Sequence, residues 1–107
     1  MVYTVSLVKI SGLSGGERTA LESVARALAR FAKERAYGYV DRLANAYNPS
    51  TARQVLTEAL RDLKSLRDRG ENVWIPKAEE VEVVLELSER DPSILKVVAS
   101  LALAMGW

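Results

Sequence analysis

The sequence predicts an all-α fold with a minor β segment at its N-terminus, and three observations carry that prediction. First, apolar or small side chains recur at Leu21, Val24, Ala25, Leu28, Phe31, Ala32, Ala36, Tyr39, Leu43 and Ala46, in steps of three or four. That is the period of one helical face. Second, Asn48-Pro49 opens a similar stripe at Val55, Leu56, Ala59, Leu60, Leu63 and Leu66, which Gly70 closes. Third, Asp91-Pro92 repeats that cap-plus-proline start before the apolar run from Ile94 to Met105.

In chain order, Val2 to Ile10 is β-branched, with Tyr3, Val5 and Leu7 alternating against Thr4 and Ser6. It reads as a strand that pairs either with Asn72 to Ile75 or with another chain. A helix is the alternative, because Val5, Val8 and Ile10 are all apolar. Ser11 to Gly16 is a breaker loop with three glycines. The first stripe then predicts one helix over 17–47, roughly 45 Å long, with Gly38 as a possible kink. A helix over 49–69 returns beside it, and the two form an antiparallel hairpin.

Glu71 to Pro76 connects onward, with Val73, Trp74 and Ile75 expected to plug the open end of the hairpin. A third helix is expected over 77–90, with Glu79 and Glu80 in the first turn where the helix dipole favours them. Val83, Leu85 and Leu87 also alternate as a strand would. The last helix, 92–105, has little polar surface besides Ser93, Lys96 and Ser100. It is either a core helix or an oligomer contact. Trp107 needs a pocket in its own chain or a neighbour's. Residues 1–107 form a single helical domain on this reading, with 1–16 as an extended or loop segment.

Composition narrows the chemistry. The 107 residues include no cysteine and no histidine. Disulfides, thiol catalysis, His-ligated metals and His acid/base chemistry are excluded. No nucleophile arrangement is recognisable among Ser, Lys and Tyr, so the expectation is a protein without enzymatic activity that needs no cofactor. Three Asn and one Gln beside fifteen Lys+Arg and fourteen Asp+Glu lean towards a thermophile. No signal peptide is seen, and Ile94 to Met105 is too short for a membrane span. The expected place is the cytoplasm.

The net charge of +1 hides two unlike halves. Residues 1–70 carry twelve Lys/Arg against seven Asp/Glu, or +5, and residues 71–107 carry three against seven, or −4. Such halves either present a basic face to a polyanion or pair with each other, within the fold or head to tail between copies.

On a helical wheel Arg26, Arg30 and Lys33 fall within about 60° of one another, opposite the apolar arc. Arg53, Arg61 and Lys64 make a like stripe on the second helix, with Arg67 at its edge. Both stripes are placed to follow a nucleic-acid backbone. Glu22, Glu34, Asp41, Asp62 and Asp68 interleave with them, as on an ion-paired solvated surface. Arg35 and Arg42 fall inside or beside the apolar arc, so each must pair with a carboxylate, expected in the acidic C-terminal half, or enter an interface. Glu79, Glu82, Glu86 and Glu89 share a face, but one helix converges too few ligands for a metal.

Two resemblances stand out. Leu13-Ser14-Gly15-Gly16-Glu17-Arg18-Thr19-Ala20-Leu21 resembles the signature loop of ATP-binding cassette ATPases, which implies contact with a nucleotide phosphate. The phosphate loop and Asp-Glu strand of that machinery are missing, so a plain helix start explains it and a nucleotide-sensing fragment is a distant alternative.

Tyr37-Gly38-Tyr39-Val40-Asp41-Arg42-Leu43-Ala44-Asn45-Ala46 is similar to a segment of the small subunit of archaeal type I-A CRISPR effector (Cascade) complexes. The likeness extends loosely over 48–70 and 76–105, about two thirds of the chain. It implies a non-catalytic helical protein that assembles in several copies with other subunits of the effector complex and steadies target DNA or the displaced strand. Guide RNA and target DNA are contacted indirectly or weakly, and no membrane is involved. Arg42 is carried over as a contact residue, while Arg35, Trp74 and Trp107 are expected at interfaces. The alternative is a homo-oligomeric scaffold joined through the last helix and Trp107.

Overall fold

In the computed structural model, which describes residues 14–32, 38–46 and 48–106, the first helix is α1 (Gly15–Ala29). Its start is a reciprocal cap. The Ser14 hydroxyl accepts from the Glu17 amide at 3.2 Å, and the Glu17 carboxylate accepts from the Ser14 amide at 3.0 Å. Two amides that a helix start leaves unpaired are thereby satisfied.

The expected helix over 17–47 is broken in two. After Ala29 the amides of Arg30, Phe31 and Ala32 reach back only three residues, which tightens and ends the turn. A separate short helix, α2 (Tyr39–Ala44), begins at Gly38, whose φ of 65° lies in the left-handed region that suits glycine. The break lets the Phe31 and Tyr39 rings meet edge to face, 4.9 Å between centroids. A continuous helix would hold residues eight apart about 12 Å from each other along its axis.

The remaining helices follow the sequence closely. Helix α3 (Pro49–Asp68) has Asn48 Oδ1 accepting from the Thr51 amide at 2.8 Å and Pro49 in its first turn. It ends with Glu71 donating to the Leu66 carbonyl and Gly70 to that of Arg67, the paired bonds of a Schellman motif. Helix α4 (Ala78–Arg90) buries Val81, Val84, Leu85 and Ser88 at helical spacing, which settles its strand-like alternation. Before helix α5 (Ser93–Met105), Asp91 Oδ1 accepts from the Ser93 amide and hydroxyl at 3.1 and 2.6 Å. Among the described residues no strand occurs, and the expected strand over 2–10 lies outside them.

Packing differs from the expected hairpin. Helix α1 lies chiefly against α5 and then α4, and it barely touches α3, which packs on α2 and α4. The cause is apolar surface. Helix α5 buries Ile94, Leu95, Val97, Val98, Ala99 and Ala102, more than a polar-faced neighbour such as α3 can cover. Small side chains on both helices permit close approach, and a Cβ at Gly106 would lie 2.7 Å from that of Ala32. Leu21, Leu28, Leu43, Leu63, Leu85 and Leu95 are fully buried at the centre, each contributing about 1.5–3 kcal/mol by leaving water.

Candidate nucleic-acid interface

Polar side chains join α1 to the connector and to the start of α4. Ser23 falls one helical step before Arg26 on α1 and is 6% exposed. Its hydroxyl accepts from the Trp74 indole at 2.9 Å and donates to Glu80 at 2.8 Å. Glu80 also accepts from the Lys77 amide at 2.9 Å, capping α4. Above this chain of bonds the Arg26 guanidinium lies 4.8 Å from the centre of the Trp74 ring. Trp74 thus lies over the outer row of α1, half exposed, and does not plug a hairpin.

A second cluster holds α2 to α3. The Tyr39 hydroxyl donates to Asp62, and Arg42 meets Glu58 at 2.7 Å while lying over the Tyr39 ring. Burial first, then the bond to Asp62, push the phenol up to about 12. Arg42 therefore has the carboxylate that was expected, but it comes from α3 and not from the acidic C-terminal half. The half-exposed guanidinium spans the two helices from outside the core.

Two other cations do bridge the unlike halves. Arg30 bonds Glu71 at 3.0 Å. Arg53 grips both oxygens of Glu82, at 2.6 and 3.0 Å, which raises the arginine's pKa and lowers the glutamate's. Both pairs are exposed and so add little stability.

The other α3 cations differ. Arg61, Lys64 and Arg67 are exposed, and among the described residues no carboxylate lies in ion-pairing range of any of them. The reason is directional. Glu58 and Asp62 on the same helix are drawn to Arg42 and Tyr39 of α2. Of the other predicted site residues, Lys33, Arg35 and Trp107 lie outside the described residues.

The family model described as CRISPR-associated protein (Cas_Csa5) matches residues 27–103, well over half of the 107. The chain belongs to this family. Csa5 proteins are the small subunit of the type I-A CRISPR Cascade complex. The match takes in α2 to α5 and the Tyr37–Ala46 segment that carries the resemblance. The Ser14–Glu17 start lies outside the Csa5 match, and its hydroxyl and carboxylate each accept from the other residue's backbone amide. No curated protein and no solved structure matches the chain.

Ser23 and Glu80 were not foreseen as partners. The available signal was position: Ser23, Arg26 and Arg30 follow helical spacing, so a hydroxyl stands on the same outer row as the cations. Among the described residues no acidic cluster could hold a metal, and no helix is long and apolar enough to cross a membrane.

Proposed function

We propose that the chain is a non-catalytic small subunit of a type I-A CRISPR surveillance complex and steadies the phosphate backbone of the target or displaced DNA strand. The observation that carries this is the row Arg61, Lys64 and Arg67 on α3, left without carboxylate partners because α2 takes Glu58 and Asp62. Cations that a fold leaves unpaired on one helix suit a polyanion better than an internal ion pair. Arg26 joins them as a cation held only by an aromatic ring among the described residues. Arg30, Arg42 and Arg53 must first release a carboxylate, so they contribute less.

Binding of single-stranded DNA measured across salt concentration tests the reading. Three phosphate contacts on a single strand add a slope of about −2 to the dependence of log affinity on log salt. The triple variant Arg61→Glu, Lys64→Glu, Arg67→Glu is expected to lose that slope and most binding. Affinity and slope unchanged by the reversal refute the site. Reversing Arg26, Arg30 and Lys33 together in the same assay measures the share of the other stripe.

A second reading, self-association through α5, is favoured by Leu103 and Met105, large apolar side chains that stay 43% and 41% exposed near the end of that helix. Sedimentation of Leu103→Ser, Met105→Ser against the parent chain, without nucleic acid, separates it from the first.

A further inference from the structure

We infer that Trp74 and Arg26 form a stacking site for an unpaired nucleobase, which would make the protein favour single strands over duplex. This rests on the strand-binding role proposed above and adds base recognition to phosphate contact. Trp74 is 45% exposed, yet its indole edge is not free to turn. It donates to Ser23, itself nearly buried and fixed by Glu80, which the Lys77 amide holds in turn. An indole oriented before the ligand arrives loses little rotamer freedom on binding.

Arg26 supplies the charge. It lies over the ring at 4.8 Å, and among the described residues no carboxylate is in ion-pairing range of it. The two side chains form a ridge between shallow grooves, one lined by Arg30, Asn72 and Met105, the other by Thr19, Glu22 and Lys77. Of the acidic lining residues, Glu80 is engaged by Ser23 and Lys77, and Glu22 has no such partner among the described residues. An exposed indole carrying a guanidinium that no carboxylate neutralises among the described residues, with polar and cationic flanks, fits a ligand that joins a flat π system to an anion. An unpaired nucleotide is that ligand, and a paired base has no free face to offer. Among the described residues an apolar protein segment would find only Met105 as a second large exposed apolar contact there.

The test uses the full chain carrying Trp107→Phe, which leaves Trp74 as the single emitting indole of the two tryptophans. Short oligothymidine, oligouridine and an abasic deoxy strand of equal length are titrated while fluorescence is followed. Base-bearing strands are expected to quench the emission and the abasic strand to leave it unchanged. Trp74→Ala should weaken binding of the base-bearing strand about tenfold, leave the abasic strand and the salt slope unaltered, and be largely rescued by Trp74→Phe. Equal quenching by thymidine and uridine assigns the site to any unpaired base, and a thymidine preference assigns it to DNA.

Unquenched emission with full affinity in Trp74→Ala overturns the stacking site while the phosphate row stands. Failure of the parent chain to bind either kind of strand sinks both. Emission that shifts with protein concentration alone assigns the indole to a protein contact and likewise overturns the proposal. If Trp74→Ala does not fold, quenching by base-bearing against abasic strands in the parent decides the question.

Discussion

Replacing Gly38 by alanine distinguishes a broken first helix from a continuous one by the sign of its effect. At φ 65° the residue sits in the left-handed region, where a Cβ costs about 1–2 kcal/mol. No steric term adds to this, because the nearest atom to such a Cβ would be Arg42 Cδ at 3.9 Å, an ordinary contact. The less flexible unfolded chain returns about 0.4–1 kcal/mol, leaving a net loss of about 1 kcal/mol. Within an unbroken helix the same change would instead stabilise by about 1 kcal/mol. The two architectures therefore differ by about 2 kcal/mol for one methyl group. Urea denaturation is the assay: Gly38→Ala is expected to lower the midpoint at constant slope, and to lower Tm by about 4–8 °C. Gly38→Asn, which tolerates the left-handed region better, should recover part of the loss. A Gly38→Ala variant more stable than the parent would refute the break at Gly38 and restore the single rod.

The Tyr39 phenol, at about 12 in the folded chain against an ordinary value of 10, contributes stability that is whole below pH 10 and is lost as pH rises towards 12. Linkage sets an upper bound of about 2–3 kcal/mol, reduced by solvent at the rim. Stability curves of the parent and Tyr39→Phe should converge over that window, and parallel curves would count against the Asp62 contact. Ser14→Ala removes the α1 cap, so a loss of about 1 kcal/mol is expected by denaturation. The Glu17 carboxyl, held low chiefly by its bond from the Ser14 amide and then by the Ser14 hydroxyl, should titrate higher in that variant by NMR. An unmoved Glu17 would show that the cap does not form in solution.

Helix starts were legible because caps are local. Asn48 and Asp91 use their side chains on amides two or three residues away, and a reader of the sequence sees both partners at once. Gly38 was legible as a kink, but not the end and restart of the helix around it, because periodicity reports which residues are buried and not the direction of the axis. Phe31, Tyr39, Leu43 and Ala46 are all buried as the stripe required, but Tyr39 and Leu43 sit on α2, while Phe31 and Ala46 lie just past the ends of α1 and α2. The expected hairpin failed for a related reason. Nearness in sequence joined α1 to α3, whereas the most apolar helix, α5, arrives last in the chain and takes the larger share of α1.

Arg26, Arg53, Arg61, Lys64 and Arg67 are exposed, as the wheel expects, but which cations are spent depends on tertiary partners. Arg53 reaches Glu82, 29 residues on, and Arg30 reaches Glu71, 41 residues on. Neither distance is visible to helical spacing. These two pairs also show what the unlike charged halves do: part of the basic half is neutralised by the acidic half within the fold. A net charge of +1 then says little about the field at a given face. Helix α3 donates Glu58 and Asp62 to α2 and holds Arg53 against α4, so its remaining cations stand together at Arg61, Lys64 and Arg67. Pairing within the fold and a basic surface for a polyanion were posed as alternatives. The two are compatible: Glu58 is paired with Arg42 and Asp62 is turned towards Tyr39, while Arg61, Lys64 and Arg67 have no ion-pair partner among the described residues.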